Sequence, residues 1–290
     1  MNGNLKLALQ KKGRLTDKSL ELLKLCGLDI ESGSERLVVT ARNFPLEVYF
    51  LRDDDIPEYV KDGVADVGIV GENVVFEKQF TNYTLQKLGF GRCSLLIAYP
   101  DQPGKEIKTP EDLNGKTIAT SYPVILNDYL KKHNLTANLI ELSGSVEIAP
   151  ALGVADLICD IVSTGNTLMM NKLKKSFKIY DSEAVLISAK PSLEDAEKNK
   201  LLDELLRRIR SVLKARTSKY LMMNAPKESI DKITSIISSL KSPTVLPLAD
   251  DKMVAIHAVI PSDKFWTMIE DLKAAGASGI LLLPIDNMII

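Results

Sequence analysis

The sequence predicts an α/β fold of two similar lobes followed by a small separate module. Short β-like runs alternate with helix-length amphipathic segments along most of the chain. The tetrapeptide Gly-Val-Ala-Asp occurs at 63–66 and again at 153–156, 90 residues later, each time between a helix-like segment and an apolar strand. The last stretch reads β-α-β-β-α-β, the ferredoxin-like order.

The elements follow from their patterns. "LKLALQ" (5–10) reads as a strand and "TDKSLELLKLCG" (16–27) as a helix, with Thr16 or Asp17 as N-cap and Gly27 as its stop. "RLVVTA" and "LEVYFLR" read as strands, and "IPEYVKDG" as a short helix ending at Gly63. "ADVGIVG" is nearly all apolar, as a parallel strand buried on both faces requires. A helix is expected from "GENVVFEK". A second lobe is expected from Gly91: strand "CSLLIAYP", a helix start and strand in "KTPEDLNGKTIAT", and helix "ILNDYLKKHN". It continues with strand "ANLIELSG", helix "EIAPALGV" and strand "DLICDIV". The tail adds strand "SKYLMMNA" and helix "KESIDKITSIISSL". Two strands across Ala-Asp-Asp follow, then a helix capped by Ser262 or Asp263, and strand "SGILLLPI". The expected division is 1–90 with 185–215, then 91–184, then 216–290.

Composition excludes several classes. A formal net charge of −1 over 290 residues argues against a nucleic-acid or anionic-membrane footprint. No apolar run has membrane-spanning length, and no signal-peptide core opens the chain, so a cytoplasmic protein is expected. Cys26, Cys93 and Cys159 are far apart, and His133 and His257 are the only histidines, which argues against zinc.

The chemistry gathers at strand ends. In "DLICDIVSTGNTL" (156–168), Asp160 precedes the turn Ser163-Thr164-Gly165-Asn166-Thr167, and a helix pattern follows. Unpaired N–H groups at a helix start, three hydroxyls and a flexible glycine suit a phosphate. Asp160 is suited to sugar hydroxyls or a hydrated Mg²⁺. The plainer reading is a capped helix with a locally bonded aspartate. "QKKGRL" places Lys11, Lys12, Gly13 and Arg14 after the first strand, where a phosphate contact and a solvated charge run both fit. Arg52 precedes Asp53–Asp55, acids that suit a first helical turn. Gly71 and Glu72 hold the equivalent turn of the first lobe. Glu141 and Glu147, either side of Gly144, read as cleft acceptors or as surface carboxylates. Ser163 lacks the Gly-x-Ser-x-Gly context of a hydrolase nucleophile.

Together, "KKGRL", "LRDDDIPEYV", "DVGIVGENV", "SGSVEIAPALGVADLICDIVSTGNTL" and "SPTVLPLADDKMVAIHAVI" resemble the ATP phosphoribosyltransferase family, end to end and in its long form. The resemblance implies an α/β fold with a two-lobed periplasmic-binding-protein-like catalytic region and a C-terminal ferredoxin-like regulatory domain. It implies transfer from phosphoribosyl pyrophosphate to N1 of ATP, with Mg²⁺ held through the substrate diphosphate and Asp160 a candidate ligand. Asp160, Ser163, Thr164, Gly165, Asn166 and Thr167 would hold the donor. Lys12, Gly13, Arg14, Arg52, Asp66, Glu72 and Glu141 would face the nucleotide, with Asp160, Arg14 and Arg52 catalytic. Histidine would inhibit near Asn224, Thr244 and Gly279, and the chain would form dimers and hexamers. Phosphoribosyltransferases commonly carry two adjacent acids before this turn; here the first is Cys159. Gln10-Lys11 stands where the family often has proline. The alternative class is a non-catalytic two-lobed solute-binding or sensing protein, which would leave the Asp160–Thr167 turn unexplained.

Overall fold

The computed structural model describes residues 3–31, 36–80, 83–162, 165–237 and 242–289. The chain runs β1 (Leu5–Gln10), α1 (Arg14–Leu25), β2 (Val38–Thr40), β3 (Leu46–Leu51), α2 (Ile56–Lys61), β4 (Val67–Gly71), α3 (Glu72–Glu77) and β5 (Tyr83–Lys87). It continues with β6 (Cys93–Pro100), β7 (Thr117–Thr120), α4 (Pro123–Lys132), β8 (Asn138–Glu141), β9 (Leu157–Val162), α5 (Asn166–Met170) and β10 (Leu173–Ser182). Then come β11 (Ala184–Ser188) and α6 (Ala196–Arg216). The last module is β12 (Ser218–Pro226), α7 (Ile230–Ile236), β13 (Thr244–Pro247), β14 (Met253–Pro261), α8 (Phe265–Ala274) and β15 (Ser278–Pro284).

These strands form three sheets, ordered β2-β3-β1-β4-β11-β5, β10-β6-β9-β7-β8 and β13-β14-β12-β15. β3, β1 and β4 are parallel, as are β9, β7 and β8. β1, β4, β7 and β9 bury consecutive residues and so both faces, which explains their near-continuous apolar runs, whereas β3 alternates and β8 has no fully buried residue. The third sheet is antiparallel; counted within its module the order is 4-1-3-2, the ferredoxin-like arrangement. Its inner face packs Leu221, Met223, Ile256 and Ile260 against Ile233, Met268 and Leu272. The chain folds into two compact units, Met1–Glu21 with Leu28–Leu201, and Leu22–Gly27 with Leu202–Ile290. Among the described residues no helix is long and apolar enough to cross a membrane.

The repeated Gly-Val-Ala-Asp has one structural job in both places. Gly63 and Gly153 take left-handed backbones, φ +71° and +70°, which favour glycine. The aspartate then ties the strand it precedes to the next one. Asp66 accepts from Lys6 N–H at 2.8 Å, and Asp156 accepts from Thr117 N–H at 3.0 Å. Each also donates its own N–H back, to Lys6 O at 2.9 Å and Thr117 O at 2.8 Å. The echo is therefore a reciprocal clip at the amino end of β4 and β9.

Several boundaries differ from expectation. α1 starts at Arg14, and Thr16 donates its hydroxyl to Gln10 O at 2.8 Å instead of capping. "EIAPALGV" is a 3₁₀ turn, Val146–Ile148, followed by turns. Ser145 in a left-handed conformation, Pro150 and Gly153 stop a helix there. α8 begins at Phe265 after Lys264, not at a Ser262 or Asp263 cap. α7 spans Ile230–Ile236, and part of the expected helix, 238–240, lies outside the described residues. β5, β10, β11 and α6 were not expected as elements.

Candidate active site

Strand alternation decides the donor side. On β9, Cys159 is fully buried with Leu95, Ile97 and Ile118, whereas Asp160 is half-buried on the other face. Burial pushes the Cys159 thiol well above its ordinary range. An acid at 159 would therefore enter the core, not the site. Asp160 Oδ1 accepts from Ile161 N–H at 2.7 Å. Burial raises its carboxyl, that N–H bond lowers it, and Glu147 raises it again. Ser163 and Thr164 lie outside the described residues. Gly165, at φ +89°, is the N-cap of α5, and Asn166 and Thr167 are exposed at its start.

The sequence reading missed Lys175. Its Cε and Nζ lie 2.5 and 2.6 Å from where a Cβ on Gly165 would stand. Its neighbours on β10 are engaged, Lys174 with Asp101 at 2.7 Å and Lys178 with Asp181 at 2.6 Å. Lys175 itself has no carboxylate partner among the described residues.

Parallel pairing assembles the nucleotide side. Gln10 pairs with Leu51, so both strands end together. Lys11 N–H donates to Leu51 O at 2.7 Å, which brings Lys12, Gly13 and Arg14 beside Arg52 and Asp53. Gly13 needs its glycine, at φ +120°. Arg14 and Asp53 share a cavity of about 430 Å³ with Lys18, Arg92, Tyr122 and Ile161. Among the described residues Arg14, Lys18 and Arg92 have no ion-pair partner, so the cavity presents three cations to one acid. Burial and then Asp54 raise the Asp53 carboxyl. Tyr122 joins the two sides: burial raises its phenol most, then Asp160, then Asp53. Lys18, Arg92 and Tyr122 carried no sequence signal, because only the tertiary fold brings them to this cavity.

Other expected residues stand elsewhere. Glu72 opens α3 at the carboxyl end of β4, held by Lys87 at 3.1 Å, and lines an adjoining cavity of about 480 Å³ with Arg92. Glu141 ends β8, close enough to raise the Glu77 carboxyl, although burial raises it more. Asp66 is a correction. It lies at the amino end of β4, and besides Lys6 N–H it accepts Lys198 Nζ at 2.8 and 3.0 Å. With that clip filled, it is not free to receive a nucleotide. In the third sheet, Asn224 Nδ2 is 3.5 Å from where a Cβ on Gly279 would stand. Thr244, on β13, pairs with His257 and stands three strands from β15. Among the described residues no group of three or more His, Cys, Asp or Glu could hold a metal.

Comparison with known proteins matches this arrangement. The family model described as HisG, ATP phosphoribosyltransferase, covers residues 52–211, and HisG, C-terminal domain, covers 215–287. An ATP phosphoribosyltransferase of Cytophaga hutchinsonii is 50% identical over 100% of both chains. One of Parabacteroides distasonis is 46% identical, over 99% of this chain and 100% of its own. Among solved structures, the ATP phosphoribosyl transferase (HisG:HisZ) complex of Thermotoga maritima superposes with TM-score 0.58 at 30% identity, over 71% of this chain and 98% of that one. With a family model across its centre and a relative at half identity along its whole length, the chain belongs to the ATP phosphoribosyltransferase family, enzymes of the first step of histidine biosynthesis.

Proposed function

We propose that the family reaction takes place between the first two sheets, with the donor on the second and the nucleotide on the first. Phosphoribosyl pyrophosphate gives its phosphoribosyl group to N1 of ATP, and diphosphate leaves. The observation that carries this division is the turn after β9. One strand delivers Asp160 to its carboxyl end and passes through left-handed Gly165 into α5. The proposal places the ribose 5-phosphate on residues 163–167 and the ribose hydroxyls on Asp160. Lys175 lies against Gly165, where its ammonium would add a positive charge to the phosphate site.

Nucleophilic attack needs no strong base, because adenine N1 carries a lone pair and no proton. Charge builds on the leaving diphosphate as the anomeric bond breaks. Arg14, with Lys18 and Arg92 in the same cavity, and Arg52, the residue before Asp53, would stabilise it. Holding both reactants in line supplies much of the rest, and a closed cleft limits donor hydrolysis. Mg²⁺ bound through the diphosphate and water would polarise the leaving group, with Asp160 as the carboxylate this chain offers. A single half-buried carboxylate, with lone pairs left after Ile161, suits such a mostly hydrated ion.

We further propose 216–290 as the regulatory domain, with histidine over Asn224 and Gly279. Thr244, on β13, sits two strands from Asn224 and three from Gly279, roughly 10 and 14 Å by strand spacing. The proposal therefore has Thr244 meet the histidine from a neighbouring copy, within dimers and hexamers of this chain in the cytoplasm.

The test is steady-state kinetics of phosphoribosyl-ATP formation, followed by absorbance, for Asp160→Asn and Thr167→Ala. Both should lower turnover or donor affinity by roughly tenfold or more. Wild-type kinetics in both would overturn the donor site.

A further inference from the structure

Glu77 ends α3 in the first sheet's half of the chain, and α4 belongs to the second. Its carboxylate crosses between them. Val124 N–H donates to Oε1 at 2.8 Å, and Ile125 N–H donates to Oε2 at 3.0 Å. These are two of the four N–H groups that a helix start leaves without an internal partner. α4 supplies nothing for them itself. Its N-cap, Tyr122, makes no side-chain cap bond, Pro123 has no N–H, and its first turn holds no acid. A negative charge from the other half therefore caps it and complements its dipole. The rings of Phe76 and Tyr180, with centroids 5.6 Å apart, bind the same junction.

The consequence lies one residue upstream. Tyr122 immediately precedes α4, lines the cavity with Arg14 and Asp53, and is close enough to Asp160 to feel its charge. Fixing the start of α4 fixes Tyr122. It also fixes β9 and Asp160 relative to the loops of the first sheet, since α4 follows β7, the neighbour of β9. We propose that Glu77 is a positioning residue, a clasp that holds the donor half in register with the nucleotide half for in-line transfer. This rests on the division of substrates proposed above. Each substrate would bind mainly to one half, so the clasp matters when the two must meet.

The test uses the full chain with Glu77→Ala and Glu77→Gln. The readouts are kcat for phosphoribosyl-ATP formation, separate calorimetric Kd values for ATP and for phosphoribosyl pyrophosphate with Mg²⁺, and the thermal midpoint. Glu77→Ala should lower kcat at least tenfold while each Kd stays within about twofold. Glu77→Gln, keeping one acceptor oxygen, should fall between. A lower midpoint with kcat per folded molecule unchanged would reduce Glu77 to an ordinary cap and overturn the proposal. So would a fall in kcat matched by an equal loss in either Kd. If the alanine variant does not fold, the near-isosteric glutamine variant decides alone. Asp160→Asn, measured in parallel, separates the two ideas. Unchanged donor affinity and turnover there would sink the site division and leave the Glu77 pattern to be read by itself.

Discussion

Replacing Cys159 by aspartate would restore the paired acids common before a phosphoribosyl turn, yet it should damage stability and leave Mg²⁺ affinity unimproved. Cys159 is fully buried among Leu95, Ile97, Ile118 and Leu157. A carboxyl in such surroundings has its pKa raised by up to about 3–5 units from roughly 3.9, into the range of about 7–9. A carboxyl whose pKa rises on folding costs nothing below the unfolded value. Stability is then lost as pH climbs toward the folded value, by about 1.36 kcal/mol per unit. The cost is about 1.5 kcal/mol at pH 5 and about 4.2 kcal/mol at pH 7, so the two differ by about 2.7 kcal/mol. Thr120, which bonds the thiol, would return about 1 kcal/mol at either pH and leave the difference intact. Against a total of about 5–15 kcal/mol this is severe. Urea unfolding of wild type, Cys159→Asp and Cys159→Ala at both pH values measures it. The alanine variant should show a small, pH-independent loss. An aspartate variant with the same loss at both pH values, or with tighter Mg²⁺ binding, would refute the assignment of Cys159 to the core.

Lys198→Met should remove the partner of Asp66 and destabilise the chain by about 2–4 kcal/mol, with ATP affinity unchanged, because that pair is largely buried and away from the site; denaturant melts and ATP titration check both halves. Gly165→Ala should lower donor affinity and cost about 1–2 kcal/mol, since φ +89° strains any side chain and Lys175 must move; calorimetry with phosphoribosyl pyrophosphate measures the first effect. Deleting residues from 216 onward should relieve histidine inhibition, with oligomeric state checked by light scattering; persistent inhibition would place the effector elsewhere.

Local patterns made much of the fold legible. The apolar runs at 65–71 and 156–162 became central strands, β4 and β9, and the repeated tetrapeptide marked equivalent places in two sheets. The resemblance, not the repeat, placed Asp66 toward the nucleotide. A conspicuous carboxylate beside a strand looks functional until the clip to Lys6 and Lys198 is seen. β10 escaped because "LKKSFKIYDS" is an edge strand with register shifts after Lys175 and Lys178, so its lysines break the alternation that marks a strand. Arg14 and Arg52 were readable from strand-end position. Arg92 and Glu77 were not, since each meets its neighbours through contacts distant in sequence, Glu77 and Val124 being 47 residues apart; Lys175 was not, because it rides on β10.

The most direct test of the donor site is a crystal structure of the chain with phosphoribosyl pyrophosphate and Mg²⁺. The 5-phosphate should lie on the backbone N–H groups of residues 163–167, the ribose hydroxyls at Asp160 and the diphosphate toward Arg14. A 5-phosphate seated instead on Lys12–Arg14 and Arg52, with the turn after β9 empty, would contradict it.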